Sequence, residues 1–334
     1  MTAKPTFKPD LTLVASGLKD PKSSKGSVKP NKSPESKETP KLTESTETFG
    51  LDYRGQEIIG RDFQGQDLKG ADFSLSSLVD CNFTDCRLTE SNFSQATFAN
   101  GSLVNCDLTS LIFSGGQIRR VNFKGSLATA ADFSQTMFFN CHFSPGLIFR
   151  QSLFKKTFFE EVSLSGLIFE ECDLSGAIIR SSNVDSLRFK KSILKQIIAE
   201  NLTFKDLIAL ACDLSQADFT DSDLSGANLT TSDLTQGKFI GTKLVKSLLT
   251  GATAKQAIFT LANLSGADLR GVKAEMGDFA AASLNGATLD HGDFRLANFH
   301  RTQGLPWDKD LADFTGSRPT NNLLARAEDF IPKI

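Results

Sequence analysis

Residues 217–230 read ADFTDSDLSGANLT, and this stretch decides the fold of the whole chain. A large apolar side chain returns every five residues, at Phe219, Leu224 and Leu229. A small residue lies two positions before each of them, and Asp or Asn lies directly before. Helices repeat about every 3.6 residues and strands every two, so neither accommodates this period. The spacing predicts a chain that turns a corner every five residues, with one large and one small side chain inward.

The same period extends from about residue 51 to residue 301. The chain contains 28 Phe but one Tyr and one Trp, which fits a repeated inward position for a ring without a polar group. The frequent Asp and Asn support corners, because their short side chains bond to nearby backbone in turns. The frame of five is interrupted once, and we predict that the slip of one residue lies near 159–163.

These units resemble the A-[DN]-[LF]-x-x signature of the pentapeptide repeat family, as in Ala71-Asp72-Phe73-Ser74, Ala227-Asn228-Leu229-Thr230 and Ala267-Asp268-Leu269-Arg270-Gly271. The resemblance covers roughly residues 51–301, and a long series of such units is highly specific. It implies an all-β fold, a right-handed quadrilateral parallel β-helix with four pentapeptides in each square coil.

Charged residues give a separate measure of the coil length. If one coil takes 20 residues, positions 20 apart stack about 4.8 Å from one another. Opposite charges should then recur at that offset. They do so repeatedly, for example at Asp67/Arg87, Glu170/Lys190, Asp218/Lys238, Lys255/Glu275/Arg295 and Arg270/Asp290. The sequence therefore predicts a pentapeptide-repeat solenoid over 51–303 with about 12 coils.

The two ends differ from the repeats. Residues 1–50 contain six of the ten prolines and nine lysines, and they are predicted to be a disordered Lys/Ser/Pro-rich tail. This tail is either an export signal or a flexible tether. Residues 304–334 are predicted to form an irregular final repeat and a helical cap, which Asn321 or Asn322 starts. The cap or dimer-contact candidates there are Trp307, Leu323, Leu324 and Phe330.

Enzyme chemistry finds little support in the sequence. All six cysteines occupy the small inward position, which favours structural fillers over a metal site or disulfides. With three scattered histidines and no phosphate-binding loop, we expect no catalytic, cofactor or metal site. No apolar run is long enough for a transmembrane helix, and no secretory signal peptide is recognised. A cytoplasmic, reducing location without membrane contact is therefore expected.

The middle of the chain carries a second large apolar residue directly after several repeat centres. These additional residues are Phe139, Phe149, Phe154 and Phe159. Two interpretations stay open. Either the coil is distorted and the extra rings are tucked inside, or the rings form an exposed aromatic patch that binds a partner. The four phenylalanines are accordingly the candidate partner-binding residues.

Three functions follow as hypotheses. The first is a non-enzymatic scaffold, expected to be bacterial from the family resemblance, that presents a rigid rod to a protein partner. The second is a DNA mimic that binds gyrase or another topoisomerase and protects it from quinolones, as some members of the family do. The third is a secreted effector exported through residues 1–50. Residues 51–334 carry 33 acidic and 28 basic side chains, which is weakly acidic for a duplex mimic and argues against direct nucleic-acid binding. A monomer or an end-to-end homodimer is expected.

Overall fold

The computed structural model describes residues 51–305 and 311–329. It confirms a parallel β-solenoid in which each coil pairs with the next at an offset of 20 or 21 residues. One ladder of pairs runs without a break from Asp52↔Asp72 to Asp293↔Asp313, which makes 13 pairings. Each pairing spans one turn, so the ladder follows about 13 turns. This is slightly more than the expected 12 coils, because the late unit 312–316 adds one.

Short strands form two parallel sheets on different faces of the coil. The first sheet contains seven strands in the order β1-β2-β3-β4-β6-β8-β10, and the second contains five in the order β12-β11-β9-β7-β5. The elements are β1 Glu57–Ile59, β2 Ser77–Val79, β3 Thr97–Ala99, β4 Gln117–Arg119, β5 Ala128–Thr129, β6 Met137–Phe139, β7 Ile148–Arg150, β8 Phe158–Glu160, β9 Ile168–Glu170, β10 Ile178–Arg180, β11 Arg188–Lys190, β12 Ile208–Leu210 and α1 Asn322–Glu328.

Each corner of the coil depends on one residue with left-handed backbone. Such residues recur every five positions, for example Leu75 with φ 60° and Asp85 with φ 61°. Where an Asp or Asn precedes the buried centre, it stabilises the corner, since its side chain accepts a backbone N–H two residues later. The Asp72 carboxylate accepts the N–H of Ser74 at 2.8 Å in this way. The turn role predicted for these residues is confirmed.

The four faces are named by the first residue that each buries: the Tyr53, Ile58, Phe63 and Leu68 faces. Buried centres of successive coils lie above one another, so phenylalanine rings form ladders along the axis. The rings of Phe63 and Phe83 stack with centroids 4.6 Å apart. Five further rings stack at 5.0–5.7 Å from Phe219 to Phe299. Phenylalanine suits this axis because it carries no hydroxyl that needs a hydrogen-bond partner in the interior.

The small inward position joins one coil to the next. All six cysteines there are buried, as the structural interpretation predicted. The thiols also make hydrogen bonds that the sequence did not predict, because five of the six point at a carbonyl of the preceding coil. The Cys86 thiol donates to the carbonyl of Phe63 at 2.9 Å, and the Thr136 hydroxyl donates to that of Phe113 at 2.6 Å.

The extra residue of the frame lies between Phe143 and Gly146, and the predicted position near 159–163 is wrong. Coils pair 20 apart up to Asn122↔His142 and 21 apart at His142↔Ser163. Left-handed backbone residues agree, since they recur every five positions to Asn140 and next occur at Gly146.

The position of the extra residue could not be recognised locally, because the sequence that follows it allows two assignments of the repeat centres. After the insertion, adjacent large apolar residues occur as pairs, and either member can be taken as the centre until Leu164. Ser144 adapts the ladder to the extra residue. Its hydroxyl accepts the N–H of Gly125 at 3.1 Å, where regular coils use a backbone carbonyl.

The C-terminal helix α1 begins after Asn321, whose side chain accepts the N–H groups of Leu323 and Leu324, each at 3.1 Å. This confirms Asn321 as the N-cap and the short helix predicted within 304–334. Among the described residues, no helix has the length and apolar character needed to cross a membrane. The predicted tail 1–50 lies outside the described residues.

Candidate protein-binding surface

Three of the four predicted partner-binding rings belong to the core. Phe149, Phe154 and Phe159 are 2%, 1% and 1% exposed, so for these three rings the interpretation that places them inside the coil is confirmed and the exposed-patch interpretation is wrong. The physical reason is the earlier frame slip, which moves these three residues to the inward centre. Their neighbours take the outward position directly before the centre: Ile148, Leu153 and Phe158.

A different set of large apolar side chains reaches the surface on the Ile58 face. Met137, Phe158, Ile178 and Ile198 occupy the same position in four successive coils and pair in register. Phe139 lies beside this column, with its ring centroid 5.9 Å from that of Phe158. All five side chains are half-buried. We call them the apolar strip.

Two arginines lie over the rings of the apolar strip. The Arg119 guanidinium lies 4.2 Å from the ring centroid of Phe139, and that of Arg180 lies 5.9 Å from the ring of Phe158. These are cation–π distances, at which the aromatic face attracts the charge. Glu160 lies in the same column as Arg119, Phe139 and Arg180. Basic and acidic side chains therefore both border the strip.

Sequence reasoning named Phe139 but missed the other four members of the strip. The signal was present, since large apolar residues recur at offsets of 20 or 21 from Met137 to Ile198. It was hidden because the misplaced slip assigned Phe158 to the core.

The other faces offer less continuous apolar surface. On the Phe63 face, the position before the centre is polar from the first coil to the last described one, for example at Asn82, Ser102 and Asn122. On the Leu68 face, the apolar column at the same position is shorter, because it ends at Ile168, which pairs with Arg188 of the next coil. This face also carries an ion-pair ladder, in which Glu170 bonds to Arg150 at 3.2 Å and to Lys190 at 2.8 Å.

The C-terminal helix is attached by polar contacts. The His300 Nδ1 accepts the N–H of Asn321 at 3.1 Å, and Arg301 donates to the carbonyl of Ala325 at 3.1 Å. Leu323 and Leu324 are 79% and 48% exposed, so they are not the side chains that hold α1 to the solenoid. The other two cap or dimer-contact candidates, Trp307 and Phe330, lie outside the described residues.

The buried cysteine thiols have low reactivity. Burial raises the pKa of Cys106 to about 12 and the pKa of Cys141, Cys172 and Cys212 to about 11. The thiolate is the form that attacks electrophiles and binds metals, and it is scarce at neutral pH with such values. Within 51–305 and 311–329, no group of three or more His, Cys, Asp or Glu side chains is arranged to hold a metal ion.

Two protein-family models match residue ranges that lie within the solenoid. The model described as "Pentapeptide repeat region" matches residues 61–133. The model described as "Pentapeptide repeats (8 copies)" matches residues 149–196, 212–251, 238–273 and 257–301. The chain belongs to the pentapeptide repeat family. In this pentapeptide repeat protein, the interval between the first two matches, 134–148, contains the extra residue that shifts the frame.

Solved structures with likeness to this pentapeptide repeat protein include QnrB1, a plasmid-mediated fluoroquinolone resistance protein. It is 16% identical, with 69% of this chain and 96% of that chain covered and a TM-score of 0.29. A pentapeptide repeat protein from the Arabidopsis thaliana thylakoid lumen is 24% identical, with 34% and 63% covered and a TM-score of 0.23. HetL, involved in heterocyst differentiation regulation in the cyanobacterium Nostoc, is 20% identical, with 81% and 88% covered and a TM-score of 0.17. No curated protein matches the chain significantly.

Proposed function

We propose that this pentapeptide repeat protein is a non-enzymatic scaffold that binds a protein partner through the apolar strip. The observation that supports this function is a column of half-buried large side chains with two arginines over its rings. Aromatic residues, Met and Arg are the side chains enriched in the centres of protein interfaces. The hydrogen-bonded coils hold the strip at a fixed spacing of about 4.8 Å, so little order has to be created on binding.

The topoisomerase alternative requires an acidic face like that of a duplex. The Tyr53 face comes nearest, since Asp recurs before its centres at Asp72, Asp132 and Asp173. Apolar residues such as Ile112 and Ile193 interrupt this series, whereas a duplex carries its charge continuously. A supercoiling assay with gyrase separates this alternative from the scaffold, which predicts neither inhibition nor quinolone protection.

The effector alternative depends on residues 1–50, which lie outside the described residues. A secretion reporter fused to residues 1–50 tests it directly. Without export of that reporter, we place the scaffold in the bacterial cytoplasm.

The scaffold function is tested by affinity capture from a lysate of the source cells. The bait is the full chain, and the variant is Phe139→Ser with Phe158→Ser. Leu127→Ser is the matched control, because Leu127 is 67% exposed and lies on the Leu68 face, outside the strip and outside the Ile58 face. We expect the double variant to lose a protein that the wild type and the control both retain. An unchanged set of captured proteins would refute the proposed role of the strip, provided that circular dichroism shows equal folding.

A further inference from the structure

We propose that the partner bound at the Ile58 face is a second copy of this chain, packed face to face with its coils running in the opposite direction. This inference rests on the proposed function, because it names the occupant of the apolar strip. The support comes from the order of the side chains along the face, which is self-complementary about one point. That point lies between the coil of Phe158 and the coil of Ile178.

The apolar column matches itself when it is reversed. A two-fold axis in the plane of the interface, perpendicular to the solenoid axis, places every column against the same column in the opposite order. Centred between Phe158 and Ile178, it sets Phe158 against the partner's Ile178 and Met137 against the partner's Ile198. All four large side chains of the column thus meet apolar side chains.

The charged residues nearest to the axis match one another about the same point. Glu160 precedes the axis by half a coil and Arg180 follows it by half a coil, because these two residues pair in register in adjacent coils. Glu160 therefore faces the partner's Arg180, and the symmetry makes this ion pair twice. At the corner of the face, exposed Arg120 lies opposite the partner's exposed Asp221, which again occurs twice.

The opposite orientation fails the same comparison. With both chains running in one direction, the two-fold axis lies along the solenoid and exchanges the two outer columns. Phe158 would then face the partner's Glu160, and Ile178 would face the partner's Arg180. Burying charged groups against apolar ones without a partner is costly, so the antiparallel arrangement is favoured.

The position of the axis also allows a long overlap. It lies near the middle of the solenoid, so about 12 coils of each copy face one another. With about 4.8 Å per coil and a face about 10 Å wide, the contact covers about 600 Å² on each copy. Stable interfaces bury about 800 Å² per partner. The overlap also sets Phe139 against the partner's Glu200 and, at its ends, Glu57 against the partner's Asp278, and both pairs are less favourable. A dimer of micromolar rather than nanomolar affinity is therefore expected.

Charge reversal tests the proposed pairing. Sedimentation velocity of the full chain from about 1 to 300 μM, around the expected micromolar affinity, should show a shift from monomer to dimer. Glu160→Arg alone, or Arg180→Glu alone, should raise the dissociation constant of the dimer about ten-fold or more, since like charges then face each other. The double variant Glu160→Arg/Arg180→Glu should restore it to within about three-fold. A chain that stays monomeric throughout, or a double variant no better than the single ones, would overturn the proposal.

Cross-linking tests the direction and the register. In the proposed dimer Ala99 faces the partner's Ile240, whereas the two positions lie seven coils, or about 34 Å, apart within one chain. A short bis-maleimide should join Ala99→Cys chains to Ile240→Cys chains when they are mixed, and neither variant to itself. The six native cysteines are buried and should not compete. Self-linking of Ala99→Cys chains alone would contradict the antiparallel register.

The two proposals fail in different ways. A monomeric chain that still captures another protein through the apolar strip refutes the dimer and retains the scaffold function. A dimer that the charge reversals leave unchanged refutes the proposed interface. A chain that is monomeric and captures nothing in a strip-dependent manner refutes both.

Discussion

Phe83 offers the sharpest test of the ring ladder as the source of stability. Its ring is fully buried and stacks 4.6 Å from that of Phe63. It also makes edge contacts with Phe73, Phe93 and Phe98 at 5.5–5.9 Å. Phe83→Ala removes this ring from the middle of four others, and the coils above and below hold the cavity open.

Large-to-small substitutions of buried phenylalanine cost about 3–5 kcal/mol, and four lost ring contacts place this site near the upper end. Phe83→Leu keeps apolar volume but loses the ring geometry, so a decrease of about 1–2 kcal/mol in the free energy of unfolding is expected. Leu127→Ala is the matched surface control, because Leu127 is 67% exposed, and it should change stability by less than about 0.5 kcal/mol.

The assay is guanidinium unfolding followed by far-UV circular dichroism. Because repeat proteins can unfold in parts, a second probe such as calorimetry must first give a coincident transition. If Phe83→Ala cost no more than Leu127→Ala, the stacked rings would not be the main source of cohesion between the coils, and the ring ladder would not explain the stability of the solenoid.

Three further outcomes are expected. The folded protein should react with none of its six cysteines in a thiol assay at neutral pH and with all six after denaturation; fast labelling of the native state would contradict their burial. The Arg270 hydrogen bond lowers the pKa of Asp268 to about 2. This contribution to stability is present above the ordinary carboxyl pKa and is lost as pH falls from about 4 towards 2. Melting curves of Asp268→Asn should therefore lose part of the acid sensitivity, and an unchanged pH profile would count against the pair. Arg301→Ala should increase hydrogen exchange in α1 without affecting the coils, and equal protection of the helix would show that Arg301 does not hold it.

Much of the candidate surface depends on where one residue was inserted. The sequence places Phe139 directly after a buried centre, and the structure keeps it at the surface. The outward position predicted from the sequence was wrong for Phe149, Phe154 and Phe159, because a buried ring and its outward neighbour have similar apolar character there.

The charge pairs predicted at an offset of 20 were confirmed only in part. Lys255 and Arg295 both reach Glu275, as predicted, at 2.8 and 4.0 Å. Arg270, however, bonds to Asp268 in its own coil at 2.6 Å, and not to Asp290 as the offset of 20 suggested.

The sequence by itself determined the period of five, the four-sided coil, and the burial of rings and thiols along the axis. These features repeat so often that single exceptions cannot change them, and each follows from which side chains avoid water. The tertiary structure alone decided the position of the extra residue and, with it, which side chains form the apolar strip. Adjacent apolar residues satisfy the inward position equally well when they are judged locally. Only the hydrogen bonds to the coils above and below select one of them, since those bonds fix the register between residues 20 or 21 positions apart.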